Sequence, residues 1–173
     1  ITLKPDYAEA HNNLGNALKE LSKFEDAKKS YQSAIAIRPN YIEAHNNLGI
    51  MLKELGKFED AKKSYQNVIK IKPSHAHAHY DLSQLKKFNK IDTHFIQMKN
   101  LYLDPSLTRE QRCYLSFALA KSSEDLNQLA GSFKYYSEGN DLRKKLLNYD
   151  IYEDIKQFDL IKKSNLNIKR NAL

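Results

Sequence analysis

Residues 7–40 (YAEAHNNLGNALKELSKFEDAKKSYQSAIAIRPN) and 41–74 (YIEAHNNLGIMLKELGKFEDAKKSYQNVIKIKPS) align without a gap at a period of 34, with 25 identical positions. A unit of this length cannot bury its own apolar face. It finds burial only against neighbouring copies, so the chain must stack its units into a solenoid. The 5 Gly and 4 Pro among 173 residues argue against a many-turned all-β fold.

Each unit reads as two helices. Ala10, Leu14, Ala17, Leu18 and Leu21 recur at helical spacing, as do Phe24, Ala27, Tyr31, Ala34, Ile35 and Ile37. Ser22 with Glu25 has the form of a capping box opening the second helix, and Gly56 takes the place of Ser22 one period later. Pro39 and Pro73 end the second helices, because proline has no N–H to continue the ladder. Asn40 with Glu43 is expected to cap the next start. Gly15 with Ala27, and Gly49 with Ala61, are expected to face each other where paired helices cross. Leu3 and Pro5 fall one period before Ile37 and Pro39, so the chain is expected to open inside an earlier unit and to be a piece of a longer protein.

Past residue 74 the pattern decays. Ala76, His79, Leu82 and Leu85 predict a helix ending near Phe88, and Ile91 to Leu103 its partner, stopped by Asp104-Pro105. Thr108 with Gln111 is a capping box for a helix running to about Glu124, and Phe133, Tyr136 and Leu142 mark the next helix. With Leu119-Ala120 in the Leu-Gly slot, Ser132 falls 71 residues after Ala61, two periods plus three. A third unit with three extra residues accounts for the shift. Ile151, Ile155, Phe158, Leu160 and Ile161 predict a last amphipathic helix, read as a cap on the array.

The series Leu14, Gly15, Phe24, Ala27, Tyr31, Ala34, Pro39, and again Leu48, Gly49, Phe58, Ala61, Tyr65, Val68, Pro73, resembles the tetratricopeptide repeat (TPR), with His11, His45 and His79 where that family usually has Trp. The resemblance implies an all-α, right-handed superhelical solenoid of antiparallel helix pairs. It divides the chain into the end of a preceding repeat (1–6), a first repeat (7–40), a second (41–74), a degenerate third (75–107), a divergent fourth (108–147), and a capping helix with a basic tail (148–173). The segment from Arg112 to Ile161 also looks like the repeat region preceding the catalytic domain of bacterial TPR-containing sulfotransferases, through Phe117-Ala118-Leu119, Glu138-Gly139-Asn140 and Tyr149-Asp150. The glycine-rich phosphosulfate loop of those enzymes is absent from these residues. The first two units are similar to the repeats of O-linked N-acetylglucosamine transferases as well.

Little in the sequence carries chemistry. There is no phosphate-binding glycine loop, no G-x-S-x-G and no HExxH, so catalytic residues and cofactors are expected to be none. His75 and His79 have a metal-capable i, i+4 spacing, but His79 fills the slot of His11 and His45 and is read as packing, so no metal is expected. Cys113 is read as a structural thiol, and a lone cysteine fits a reducing, cytoplasmic setting. Glu25-Asp26 and Glu59-Asp60 recur at second-helix starts, where they favour the helix dipole. The net charge of +7 is spread as +3 over residues 1–74 (12 basic, 9 acidic) and +4 over the rest (16 and 12), without the aromatic-basic clusters of RNA binders. No run approaches the roughly 18 apolar residues of a membrane span. Nucleic acid and membrane are therefore not expected as partners. The sequence leaves the oligomeric state open.

What remains is a groove. In a TPR array the first helices line the concave surface. Its inward positions are Glu9, Asn12, Asn13, Asn16 and Lys19; then Glu43, Asn46, Asn47, Ile50 and Lys53; then His77, Tyr80, Asp81, Gln84 and Lys87. An Asn amide both donates and accepts, so it can pair with a peptide backbone whatever the side chain. Asn13 and Asn47, one period apart, are expected to form a ladder. The resemblance thus implies a protein-interaction module holding an extended peptide or partner protein. The alternative is a non-catalytic region that stabilises or dimerises a sulfotransferase domain.

Overall fold

The computed structural model describes residues 5–148, 154–158 and 160–162. Eight helices follow one another: α1 (Pro5–Glu20), α2 (Phe24–Ile37), α3 (Ile42–Glu54), α4 (Phe58–Ile71), α5 (Ala76–Gln84), α6 (Thr93–Tyr102), α7 (Arg109–Asp125) and α8 (Leu129–Leu146). The described residues contain no strand, and no helix among them is long and apolar enough to cross a membrane. Residues 154–158 and 160–162 are also helical, with Ile155, Phe158, Leu160 and Ile161 exposed. The remainder of the expected capping segment and the basic tail lie outside the described residues, as do residues 1–4.

Three-residue turns fold α1 onto α2 and α3 onto α4, and the same turn returns between α7 and α8. Its middle residue takes a left-handed conformation: Ser22 at φ 58°, Gly56 at φ 71° and Asn127 at φ 58°. The next amide reaches back five residues, Lys23 N to Leu18 O, Lys57 N to Leu52 O and Gln128 N to Ser123 O, each at 2.8 Å. Ser22 is thus the residue that ends α1, not the cap that opens α2. Lys23 stands before α2 and no side chain caps it. The Asn40–Glu43 cap is corrected likewise, because Tyr41 precedes α3 without a side-chain cap. The Thr108–Gln111 capping box is present with both of its bonds. Arg38 and Lys72 leave the helix at φ −130° and −132°, as a residue before proline must.

Glycine permits the closest approach within a pair. A Cβ on Gly15 would lie 2.6 Å from the Tyr31 ring, and one on Gly49 2.8 Å from the Tyr65 ring. The glycines therefore sit under these tyrosines, four residues beyond the alanines expected opposite them. Ala27, Tyr31, Leu48, Met51, Ala61, Tyr65 and Val68 form one continuous buried cluster.

The array changes at the third unit. α5 ends at Gln84, earlier than expected, and packs mainly on α7, while α6 rests on α7 more than on α5. Leaving the helix early lets Phe88 drop into a second core with Phe95, Met98, Leu115 and Leu119. The loop is pinned there by polar groups. Phe88 N donates to Asp125 Oδ2 at 3.0 Å, Lys121 donates to Lys86 O, and Lys86 pairs with Asp92. Asp92 caps α6 by accepting from Phe95 N at 3.0 Å. In α8 the core side chain is Tyr135 rather than Phe133, which is exposed.

Among the described residues, nothing covers one face of α1. Tyr7, Leu14 and Leu21 are 57%, 49% and 66% exposed, whereas Tyr41 and Leu48, one period later, are both 8% exposed, Tyr41 in a cluster with Ala34 near the end of α2 and Leu48 in the main core. Ala10 and Ala17 are exposed too, while their counterparts Ala44 and Met51 are fully buried.

Candidate functional site

The first helices α1, α3, α5 and α7 meet along one face, and cross-helix bonds define it. Asn47 Nδ2 donates to Asn12 Oδ1 at 3.0 Å, Lys19 lies 3.8 Å from Glu54, and Lys53 donates to Asp81 Oδ1 at 2.6 Å. His77 Nε2 faces the other Asp81 oxygen at 3.3 Å, and the His77 ring stacks on Tyr114 of α7 at 4.5 Å. The face thus runs from amides, through a buried carboxylate clamped by Lys53, to aromatic rings.

Most of the expected groove residues lie on this face, but several are already engaged. The ladder partner of Asn47 is Asn12, which is buried; Asn13 is exposed and outside the pair. Asn16 accepts from the Tyr31 hydroxyl at 2.8 Å. In the next unit Ile50 replaces Asn16, and the equivalent Tyr65 hydroxyl is buried with no hydrogen-bond partner. Burial drives both phenols up, with Glu54 adding to each; Tyr31 reaches about 12. Asn46 keeps a buried Oδ1 without a partner. Gln84 is exposed, within 3.4 Å of the Ser83 hydroxyl. Tyr80 lies 5.6 Å from Tyr114 and 6.5 Å from His77.

Sequence reasoning missed Tyr114, Phe117 and Lys121 on α7. The offset of 71 residues that aligns Leu119 with Leu48 would have placed Tyr114 opposite Glu43 and Phe117 opposite Asn46. Gly139 of α8 leaves room for the Phe117 ring, which a Cβ there would meet at 3.2 Å. The Tyr136 hydroxyl donates to Glu124 Oε2 at 2.9 Å; burial first, then that carboxylate, push it up to about 12.

The histidines do other work. His45 and His79 place Nε2 2.9 and 2.8 Å from the carbonyls of Pro39 and Pro73, tying first helices to the preceding turn. His75 Nδ1 caps α5 by accepting from Ala78 N at 3.1 Å. Burial lowers the imidazoles of His75 and His79. Among the described residues no group of three or more His, Cys, Asp or Glu is disposed to hold a metal. Cys113 is buried, its Sγ 3.5 Å from Gly139 O, and burial raises its thiol, the reverse of a reactive cysteine.

Two family descriptions match the sequence: "TPR repeat" over residues 15–55 and "Tetratricopeptide repeat" over residues 42–75. Residues 15–75 are tetratricopeptide repeats. Solved structures share the fold over most of the chain. A crystal structure of MamA has a TM-score of 0.59 at 17% identity, covering 84% of each chain. A double mutant of MamA RS-1 has a TM-score of 0.56 at 16% identity, covering 83% of this chain and 78% of that one. MamA AMB-1 has a TM-score of 0.59 at 16% identity, with coverages of 79% and 73%. No curated protein matches the sequence. None of these matches is to a sulfotransferase. The described architecture is an all-helical, TPR-like solenoid.

Proposed function

We propose that this TPR array binds an extended segment of a partner protein along the face lined by α1, α3, α5 and α7, and that the chain itself is not catalytic. The observation that carries the reading is the unspent bonding capacity of that face. Asn13 and Gln84 project into solvent, and Tyr80 and Tyr114 are only part-buried. An amide row grips a peptide backbone, and aromatic faces grip side chains that the backbone presents alternately. The repeats supply rigidity, since each first helix is locked to its neighbour by Asn12–Asn47 and Lys53–Asp81. A binding face fixed in advance loses little entropy on association.

The test is site-specific crosslinking. A photo-reactive residue at Asn13 or Gln84 should capture a partner that the same residue at Lys29, exposed on the second-helix side, does not. Tyr80→Ser with Tyr114→Ser should weaken that capture while helicity is retained. Equal capture from Lys29 would place the contact on another surface.

A further inference from the structure

Away from this face, α4, α5 and α6 enclose a cleft of about 470 Å³, within the usual range of about 300–1,000 Å³ for small-molecule sites. It exists because α6 leans on α7, leaving α4 and α6 apart. Ile69 and Leu82 give it an apolar wall; His94, Lys70, Gln66 and Gln97 give it polar edges. His94 is only 7% exposed, and neither of its ring nitrogens has a hydrogen-bond partner among the described residues. It stacks on His79 at 5.2 Å and Phe88 at 5.7 Å, and His79 Nδ1 is unpartnered as well. Leaving buried polar atoms unbonded forfeits their hydration with nothing in exchange, so a fold that keeps them needs a reason. Lys70 is exposed and has no acidic partner among the described residues, whereas Lys86 is held by Asp92.

We propose that this cleft binds a small organic acid, a carboxylate carried on an apolar chain. The chain lies over Ile69 and Leu82. The carboxylate accepts from a His94 N–H and from the Lys70 ammonium. His94 lines the cleft with both nitrogens buried, and rotation about χ2, a broad torsion for an imidazole, would turn one toward the ligand. A cation is disfavoured by the Lys70 ammonium at the cleft. Burial pushes the His94 imidazole down to about 3, so near neutral pH the ring is an uncharged donor and the positive charge comes from Lys70. A neighbouring cleft gives a contrast. The cleft of about 500 Å³ between α2 and α4 is also lined by Lys70, but its histidine, His45, is already bonded to Pro39 O.

The experiment titrates octanoate into the 173-residue chain at neutral pH while imidazole nitrogen resonances are followed by NMR. Octanoate should shift His94 saturably and leave His45 unmoved. Octanol and octylammonium should bind about tenfold more weakly or worse, the equivalent of losing one charge-assisted hydrogen bond. His94→Phe should weaken octanoate by about tenfold. Lys70→Gln, at an exposed position that does not threaten folding, should weaken it by roughly threefold to tenfold. The proposal is overturned if octanoate leaves His94 unmoved to its solubility limit. It is equally overturned if octylammonium binds as well, if Lys70→Gln binds undiminished, or if Zn²⁺ alone saturates His79 and His94 with no response to octanoate.

Discussion

Tyr31 and Tyr65 occupy the same position in consecutive repeats, are both fully buried, and should respond in opposite directions to loss of the hydroxyl. The Tyr31 hydroxyl donates to Asn16 at 2.8 Å; the Tyr65 hydroxyl has Ile50 where that amide would be and is left without a partner. Tyr31→Phe removes a made bond, worth about 0.5–1.5 kcal/mol, and the half-exposed Asn16 recovers part of the loss from water. A destabilisation of about 1 kcal/mol is expected. Tyr65→Phe removes a buried hydroxyl that already bears its desolvation penalty, about 1–3 kcal/mol, and leaves the ring packing over Gly49 intact. That variant should be neutral or stabilised by about 1 kcal/mol. The two changes thus differ by about 1–2 kcal/mol, some 2–8 °C in Tm for a chain of this length. Urea unfolding followed by circular dichroism measures both, with the m-value as the check that cooperativity is unchanged. Adding Ile50→Asn to each Tyr65 background should give a coupling of about 1 kcal/mol in favour of the Tyr–Asn pair. If Tyr65→Phe costs as much as Tyr31→Phe, the Tyr65 hydroxyl has a partner and the reasoning fails.

Three further outcomes are expected. Gly56→Ala should cost about 1–2 kcal/mol, because φ 71° is strained for any Cβ although nothing lies within 4 Å of it, and Ser22→Gly should return a similar amount; equal Tm values for all three chains would refute the turn assignment. Gly49→Ala should cost about 1–3 kcal/mol by driving a methyl into the Tyr65 ring 2.8 Å away, and Gly49→Ala with Tyr65→Leu should recover part of it in the same assay. Acid should destabilise the chain. Unfolded histidine takes up its proton near pH 6.5 but folded His94 only near 3, so the stability linked to His94 is complete above about pH 6.5 and declines as pH falls toward 3. At about pH 5 the loss is about 2 kcal/mol, with His79 and His75 acting in the same direction, and His94→Phe should flatten that dependence in urea titrations across pH.

Much of the fold was legible because its signals are local and repeated. The 34-residue period, the prolines after the second helices and the Thr108 capping box need no knowledge of what packs on what. Failures came where one local signal has two meanings. Ser22 followed by Glu25 has the form of an N-cap, yet the position is the left-handed exit of the preceding helix, as Gly56 and Asn127 show. Asn12 and Asn13 are equally polar, and only the placement of α3 against α1 selects Asn12 as the partner of Asn47. Phe133 and Tyr135 are both plausible core residues of α8, and the displaced α6 decides between them by setting Tyr102 edge-on to Tyr135 at 5.3 Å. The unpaired nitrogens of His94 have no sequence signature, since they follow from an irregular loop whose path is dictated by Phe88.

The bare stripe of Tyr7, Leu14 and Leu21 gives the array a thermodynamic direction. In a stacked chain each helix pair draws stability from the joints on its two sides. Among the described residues α1 and α2 pack on α3, whereas α7 and α8 are braced by α5, by α6, and by side-chain bonds from Lys99 to Tyr135 and from Tyr102 to Glu138. In the 173-residue chain studied by itself, opening should therefore start at α1 and travel toward α7 as an unzipping front. The Asn12–Asn47 bond and the Lys19–Glu54 pair are the first it breaks. Amide protection in hydrogen exchange would rise along the chain like a ramp, with the Phe88 core its summit.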